Sequence, residues 1–316
     1  MKLQKETDFM PPAVRGLAIP DPVLPGDAPD PYVTYDAVSG YYYALYTECT
    51  RIRVHRAKTL ADLARGDCCE VFRAEPEQNG IFGDLWAPEM HRIGDRWYIY
   101  SSGRTRPPVK NVLWVGGYRL IVFASRTSDP FDGFDFCGIA DAENQAIDPT
   151  VIHAPDGRLF LCHTIHGRGD GLFLRELVTP TTLSDRLMHF GSPDAEREGG
   201  CNEGAFFLTA PNGRRFIVFS AFGCFDDRYR LCVMEYTGGP FDSPDSWKKE
   251  DEPLLESFGG LYGPGHASFF TAEDGNTYIA FHAMHDHAFS DGRPVPRYLH
   301  IRPVVFDGTG YPHVIR

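Results

Sequence analysis

The sequence has no apolar run near the roughly 20 residues that a membrane-crossing helix needs, so a membrane is not expected as a partner. No apolar core follows the charged start Met1–Asp8, so nothing reads as a secretory leader. A cytoplasmic location is therefore expected, or secretion had a leader been removed. Cysteine pairing signals are also missing. The eight cysteines include no C-x-x-C pair, which argues against a zinc ribbon or a small disulfide scaffold and for buried free thiols. Basic residues are scarce: 31 Lys and Arg face 43 Asp and Glu, and the net charge of −12 repels phosphate backbones. Nucleic acid is excluded as an expected partner. Long helical periodicity is absent too, and only Thr59–Leu63 has room for one short helical turn.

What the chain does have is aromatics (13%), 32 glycines and 25 prolines, a balance that favours short strands joined by tight turns. A pattern repeats five times: a short polar motif bearing Pro or Gly leads into one strand, and an aromatic strand follows. The motifs are Asp30-Pro31-Tyr32-Val33, Trp86-Ala87-Pro88-Glu89, Ile147-Asp148-Pro149-Thr150, Asn202-Glu203-Gly204 and Gly263-Pro264-Gly265-His266. Aligned on Asp30, Glu89, Asp148, Glu203 and His266, they lie 55–63 residues apart, the length of a four-stranded antiparallel sheet with its loops. Asp156-Gly157, Asn212-Gly213 and Asp274-Gly275 stand where a hairpin turn needs positive φ. Third strands are expected at Tyr118–Ser125, Gly171–Leu177, Tyr229–Tyr236 and Arg297–Val304. The chain thus reads as all-β, a five-bladed β-propeller filling residues 1–316 as a single domain. Residues 1–20 read as an arm, and Tyr311–Arg316 are expected to help close the ring.

In a propeller the first strand of each blade lines the axis, so the five motifs converge. Asp30, Asp148 and Glu203 stand where a strand start is ordinarily apolar. Carboxylates gathered in one pit repel one another, and their pKa values are pushed apart. Glycoside hydrolysis requires that separation, because one carboxyl group must keep its proton while another stays ionised.

These motifs, in this order, carry a resemblance. From about Asp21 to Tyr311 the chain resembles glycoside hydrolase family 43, five-bladed propeller enzymes that invert the anomeric centre. Trp86–His91, Phe219–Cys224, Ser246–Lys249 and Phe281–Ala283 look most like its exo-acting α-L-arabinofuranosidases. The resemblance implies that Asp30 is the general base and Glu203 the general acid, kept protonated by burial and a charged neighbour. Asp148 would tune and orient that acid. The substrate implied is a 1,5-linked arabino-oligosaccharide of the arabinan type, from which arabinose is released. Two positions depart from the family: Ala205 stands where Pro is usual after Glu-Gly, and Ala267 where Asn is usual after the histidine.

The remaining candidates surround that centre. Trp86 and Tyr262 suit stacking on a sugar face, and Arg297 suits forked hydrogen bonds to hydroxyls. The resemblance places His266 on the channel floor, beside a central water or calcium ion. No cofactor is required by this reading, and a structural calcium in the channel is compatible with it. His282, His285 and His287 have a spacing that could suggest zinc, but no completing ligand is evident. Oligomeric state is left open. The alternatives are a β-D-xylosidase on the same scaffold and a non-catalytic propeller that binds glycan or protein. A retaining fructan hydrolase is excluded, because Asn-Asp-Pro-Asn and Arg-Asp-Pro are both missing.

Overall fold

The computed structural model describes residues 17–108, 116–167, 169–289 and 293–316. The expected arm over 1–20 therefore lies mostly outside the described residues. Twenty strands form five antiparallel sheets, each made of four consecutive strands in chain order. Blade 1 contains β1 (Tyr32–Asp36), β2 (Tyr41–Leu45), β3 (Arg51–Ala57) and β4 (Asp67–Arg73). Blade 2 contains β5 (Trp86–Ile93), β6 (Arg96–Arg104), β7 (Tyr118–Ser125) and β8 (Phe134–Asp141). Blade 3 contains β9 (Ala146–His153), β10 (Leu159–Ile165), β11 (Gly171–Thr179) and β12 (Thr182–His189). Blade 4 contains β13 (Asn202–Thr209), β14 (Arg215–Ala221), β15 (Arg230–Tyr236) and β16 (Trp247–Lys249). Blade 5 contains β17 (Tyr262–Thr271), β18 (Thr277–Met284), β19 (Arg297–Phe306) and β20 (Pro312–Val314). The chain is a five-bladed β-propeller, and the expected helical turn is a 3-10 helix at Leu60–Arg65.

Each first hairpin turns on a glycine with positive φ: Gly40, Gly94, Gly157, Gly213 and Gly275. The aromatic second strands that follow are sandwiched between neighbouring sheets, which is why runs such as Tyr41–Leu45 are almost wholly buried. Between neighbouring inner strands, the Tyr32 ring meets His91 edge-on at 5.4 Å and Phe206 lies 6.0 Å from Phe269, while Tyr32 and Phe206, from non-adjacent blades, are 6.2 Å apart. These rings pack the channel below the strand starts.

The ring closes through the N-terminal side. The Val33 amide donates to Ser268 Oγ (3.0 Å), and the Val23 and Ala28 amides donate to the Leu299 and Arg297 carbonyls (2.8 Å each). The expected closure by Tyr311–Arg316 does not occur. Asp307 accepts hydrogen bonds from the Thr309 and Tyr311 amides (2.8 and 3.1 Å), so the chain reverses at once and Pro312–Val314 becomes the outer strand of its own blade.

Candidate active site

One backbone feature recurs at every blade. At a corresponding place near the start of each inner strand one residue takes positive φ: Asp30 (56°), Ala87 (44°), Asp148 (55°), Gly204 (54°) and His266 (45°), with Gly263 (55°) a second in blade 5. The β5–β6, β9–β10, β13–β14 and β17–β18 ladders shift register beside these residues in blades 2 to 5, as at a β-bulge. The five-fold equivalents are therefore not quite those aligned from sequence. Ala87 takes the place assigned to Glu89, whose carboxylate instead meets His91 Nε2 at 2.7 Å. In blade 4 the bulge is Gly204, one residue past Glu203. Four residues other than glycine held at positive φ cost of order 1–3 kcal/mol each, a strain that concentrates at functional sites.

Each bulge amide points at the preceding blade. Asp30 donates to His282 Nδ1 (3.0 Å), Ala87 to Thr47 Oγ1 (2.8 Å), Asp148 to Ser102 Oγ (3.4 Å) and His266 to Ser220 Oγ (2.7 Å). All four acceptors lie at or just beyond the end of a second strand. The exception is Gly204, whose amide donates to Asp148 Oδ2 (3.1 Å). That junction joins the second aspartate directly to the residue after Glu203.

The three predicted carboxylates and His266 are brought together, but their surroundings differ. Asp30 accepts from Thr47 Oγ1 (2.7 Å) and pairs with Arg297 Nη1 (3.3 Å). His266 Nδ1 lies 3.4 Å from Asp30 Oδ1 and 3.9 Å from Asp148 Oδ2. Burial favours a neutral Asp30, but Arg297 and then His266 outweigh it and hold the carboxyl far below the usual carboxylate range. Among the described residues no arginine pairs with Asp148. Burial, then the Glu203 and Asp30 charges, push it up to about 7 against the pull of His266. His266 is also raised: burial opposes its charge, and the surrounding carboxylates more than compensate.

Both oxygens of Glu203 accept hydrogen bonds. Tyr229 Oη donates to Oε1 at 2.8 Å, and Cys201 Sγ lies 3.7 Å from Oε2. Burial and the nearby carboxylates push the Cys201 thiol up, so it stays a donor. Beyond Cys201 opens a cleft of about 350 Å³, bounded by Tyr118, Gln145, His166 and Asp170.

The other expected residues have different surroundings. Trp86 stacks on Tyr118 (4.6 Å), one wall of that cleft. Arg297 is engaged by Asp30 and lies over the Phe225 ring (4.7 Å). Tyr262 packs against His287 (4.3 Å), whose Nδ1 meets Asp227. The zinc spacing dissolves: His282 serves the Asp30 amide, His285 faces His300 (3.2 Å), and His287 faces Asp227 (2.7 Å). Among the described residues no three His, Cys, Asp or Glu side chains converge as a metal cage. His266 is a poor fit to the suggested calcium, because its environment favours the imidazolium and calcium needs six or more oxygen ligands.

Sequence reading missed Thr47, Ser220, Tyr229 and the role of His282. A signal existed: Thr47, Ser102, Thr164, Ser220 and His282 are polar residues at corresponding places, ending or just following otherwise aromatic or apolar second strands.

The profile of Glycosyl hydrolases family 43 matches residues 19–312. The chain belongs to this family. As a family 43 protein it is a glycoside hydrolase, which implies an oligosaccharide substrate. It is 32% identical over 273 residues to the extracellular exo-α-(1→5)-L-arabinofuranosidase of Streptomyces chartreusis, covering 80% of this chain and 79% of that one. The expected cytoplasmic location finds no support in that relative; no helix among the described residues is long and apolar enough to cross a membrane. The fold is that of the α-L-arabinofuranosidase crystal structure from Lactobacillus brevis (TM-score 0.81, 24% identity, 98% of this chain and 96% of that one). It is also that of xylan β-1,4-xylosidase from Bacillus halodurans C-125 (TM-score 0.71, 18% identity, 94% and 56%).

Proposed function

We propose that this family 43 hydrolase is an inverting, exo-acting α-L-arabinofuranosidase that releases arabinose from 1,5-linked arabino-oligosaccharides. The observation that carries the mechanism is the opposite electrostatic treatment of two buried aspartates. Asp30 is held ionised by Arg297, so it is the base that takes a proton from the attacking water. Asp148, pushed up to about 7, adjoins Glu203 through the Gly204 amide. Interacting carboxyls release protons in steps that belong to the pair. The proton retained by Asp148 and Glu203 is delivered by Glu203 to the leaving oxygen. Inversion places acid and base roughly 6.5–9.5 Å apart, with the water between the base and the sugar.

The cleft beside Cys201 lies on the acid's side and receives the leaving sugar. Tyr118 lines it as an aromatic wall suited to the apolar face of a furanose, and Trp86 stacks on that ring. Likeness to the Streptomyces enzyme favours arabinose over xylose. Paired assays on an aryl α-L-arabinofuranoside and an aryl β-D-xyloside test the substrate. Preference for the arabinofuranoside, with monomer alone released from linear arabino-oligosaccharides, is expected. Preference for the xyloside, or release of mixed oligomers, would overturn the assignment.

A further inference from the structure

We infer that Tyr229 and His282 form a stacked positioning pair that fixes the acid relative to the base. Their rings are parallel within 3°, with centroids 5.5 Å apart. The free end of one ring serves the acid: Tyr229 Oη donates to Glu203 Oε1 at 2.8 Å. The other ring serves the base: His282 Nδ1 accepts the Asp30 amide at 3.0 Å. Glu203 and Asp30 belong to blades 4 and 1, and the stack joins a ring of blade 4 to one of blade 5, which lies between them.

Both rings are fully buried. Tyr229 keeps its proton, because burial and then the Glu203 charge push its phenol well above the ordinary value. It is therefore a donor to Glu203 Oε1. His282 stays neutral, since burial and the Arg297 charge both oppose protonation. An amide can only donate, so Nδ1 is its bare nitrogen. The ionisable groups facing Glu203 are Tyr229, Cys201 and Cys224 from blade 4, Asp148 from blade 3 and His266 from blade 5. Tyr229 holds the short hydrogen bond among them.

Gly265 makes room for the stack. A Cβ there would lie 2.1 Å from Tyr229 Cε1 and 2.3 Å from Cδ1. Gly265 is not among the residues with positive φ, so its backbone conformation does not itself demand glycine. The demand comes from the Tyr229 ring, which gives the Gly-Pro-Gly-His motif a reason beyond turn formation.

The inference rests on Glu203 being the acid and Asp30 the base. The test compares kcat and KM of the intact enzyme on a 1,5-linked arabinobiose and on an aryl α-L-arabinofuranoside whose leaving group needs little protonation. General acid catalysis contributes about 10²–10⁴-fold, and loss of one aligning hydrogen bond should remove about 10–100-fold of it. Tyr229→Phe keeps the stack and loses the donor. Its kcat should fall at least tenfold more on the disaccharide than on the aryl substrate, with KM nearly constant. Tyr229→Leu and Gly265→Ala disturb the stack itself and should lower kcat on both substrates. In a Glu203→Gln background, Tyr229→Phe should cost nothing further on the disaccharide.

Equal losses on both substrates for Tyr229→Phe, or no loss, would overturn the positioning role. Circular dichroism melts of each variant separate such a loss from unfolding. If Glu203→Gln itself affects both substrates equally, the acid assignment fails instead, so the two failures are distinguishable.

Discussion

The Asp148 carboxylate accepts the Gly204 amide at 3.1 Å, across the junction between blades 3 and 4. At the other four junctions the equivalent amide binds the side chain of a residue at or just past the end of a second strand. Blade 4 thus departs from the five-fold pattern beside Glu203. Asp148 faces the Glu203 and Asp30 charges, and among the described residues no arginine pairs with it as Arg297 does with Asp30.

The two aspartates should consequently act on stability with opposite sign. Asp30 has a lowered pKa when folded. Its contribution is present above the unfolded value of 3.8 and is lost as pH falls through the folded one. Asp148 is raised to about 7, so its contribution is present below 3.8 and is lost as pH rises toward 7. Asp30→Asn leaves Arg297 without its buried partner and should cost about 3–5 kcal/mol near neutral pH. Asp148→Asn should raise Tm at about pH 8, with the gain fading toward about pH 4. Thermal melts across pH check both, and activity should be lost in each.

Gly204→Ala tests the bulge beside the acid. Its φ of 54° disfavours a side chain, and a Cβ would lie 2.9 Å from His266 Cγ and Nδ1. The crowding should cost roughly 1–3 kcal/mol in urea melts and lower kcat, because the His266 ring must leave Asp30. Gly213→Ala, at a hairpin with nothing within 4 Å, carries the backbone cost alone and should leave kcat unchanged.

Much of this arrangement was legible in the sequence. The five inner motifs and their hairpin glycines located every inner and second strand, because those strands are buried on both faces and written in aromatics. The outer strands were not legible. Asp67–Arg73 and Phe134–Asp141 are edge strands, half exposed, with no apolar alternation to mark them. Asp30, Asp148, Glu203 and His266 could be placed together because they follow the blade period. The link from Tyr229 to Glu203 could not be read. It depends on Gly265 admitting a ring from another blade, and local pattern does not encode contacts between strands so far apart. Arg297 was expected to hold sugar hydroxyls, and in the structure it also pairs with Asp30. An acidic residue at 30 and a basic one at 297 give no sign of meeting until the ring closes.

Glu203→Ala separates proton donation from the rest of catalysis. Turnover of natural oligosaccharides should fall by about 10²–10⁴-fold, and less on aryl glycosides whose leaving group departs without protonation. Steady-state kinetics on the two substrate types give the comparison. Equal losses would mean that Glu203 is not the proton donor.

The central claim is that Asp30 directs water to the face of the sugar opposite Glu203. Proton NMR of the arabinose formed in the first moments of hydrolysis of an aryl α-L-arabinofuranoside tests it most directly. The account requires the β-anomer to appear first and the α-anomer to follow by mutarotation. Initial appearance of the α-anomer would contradict it.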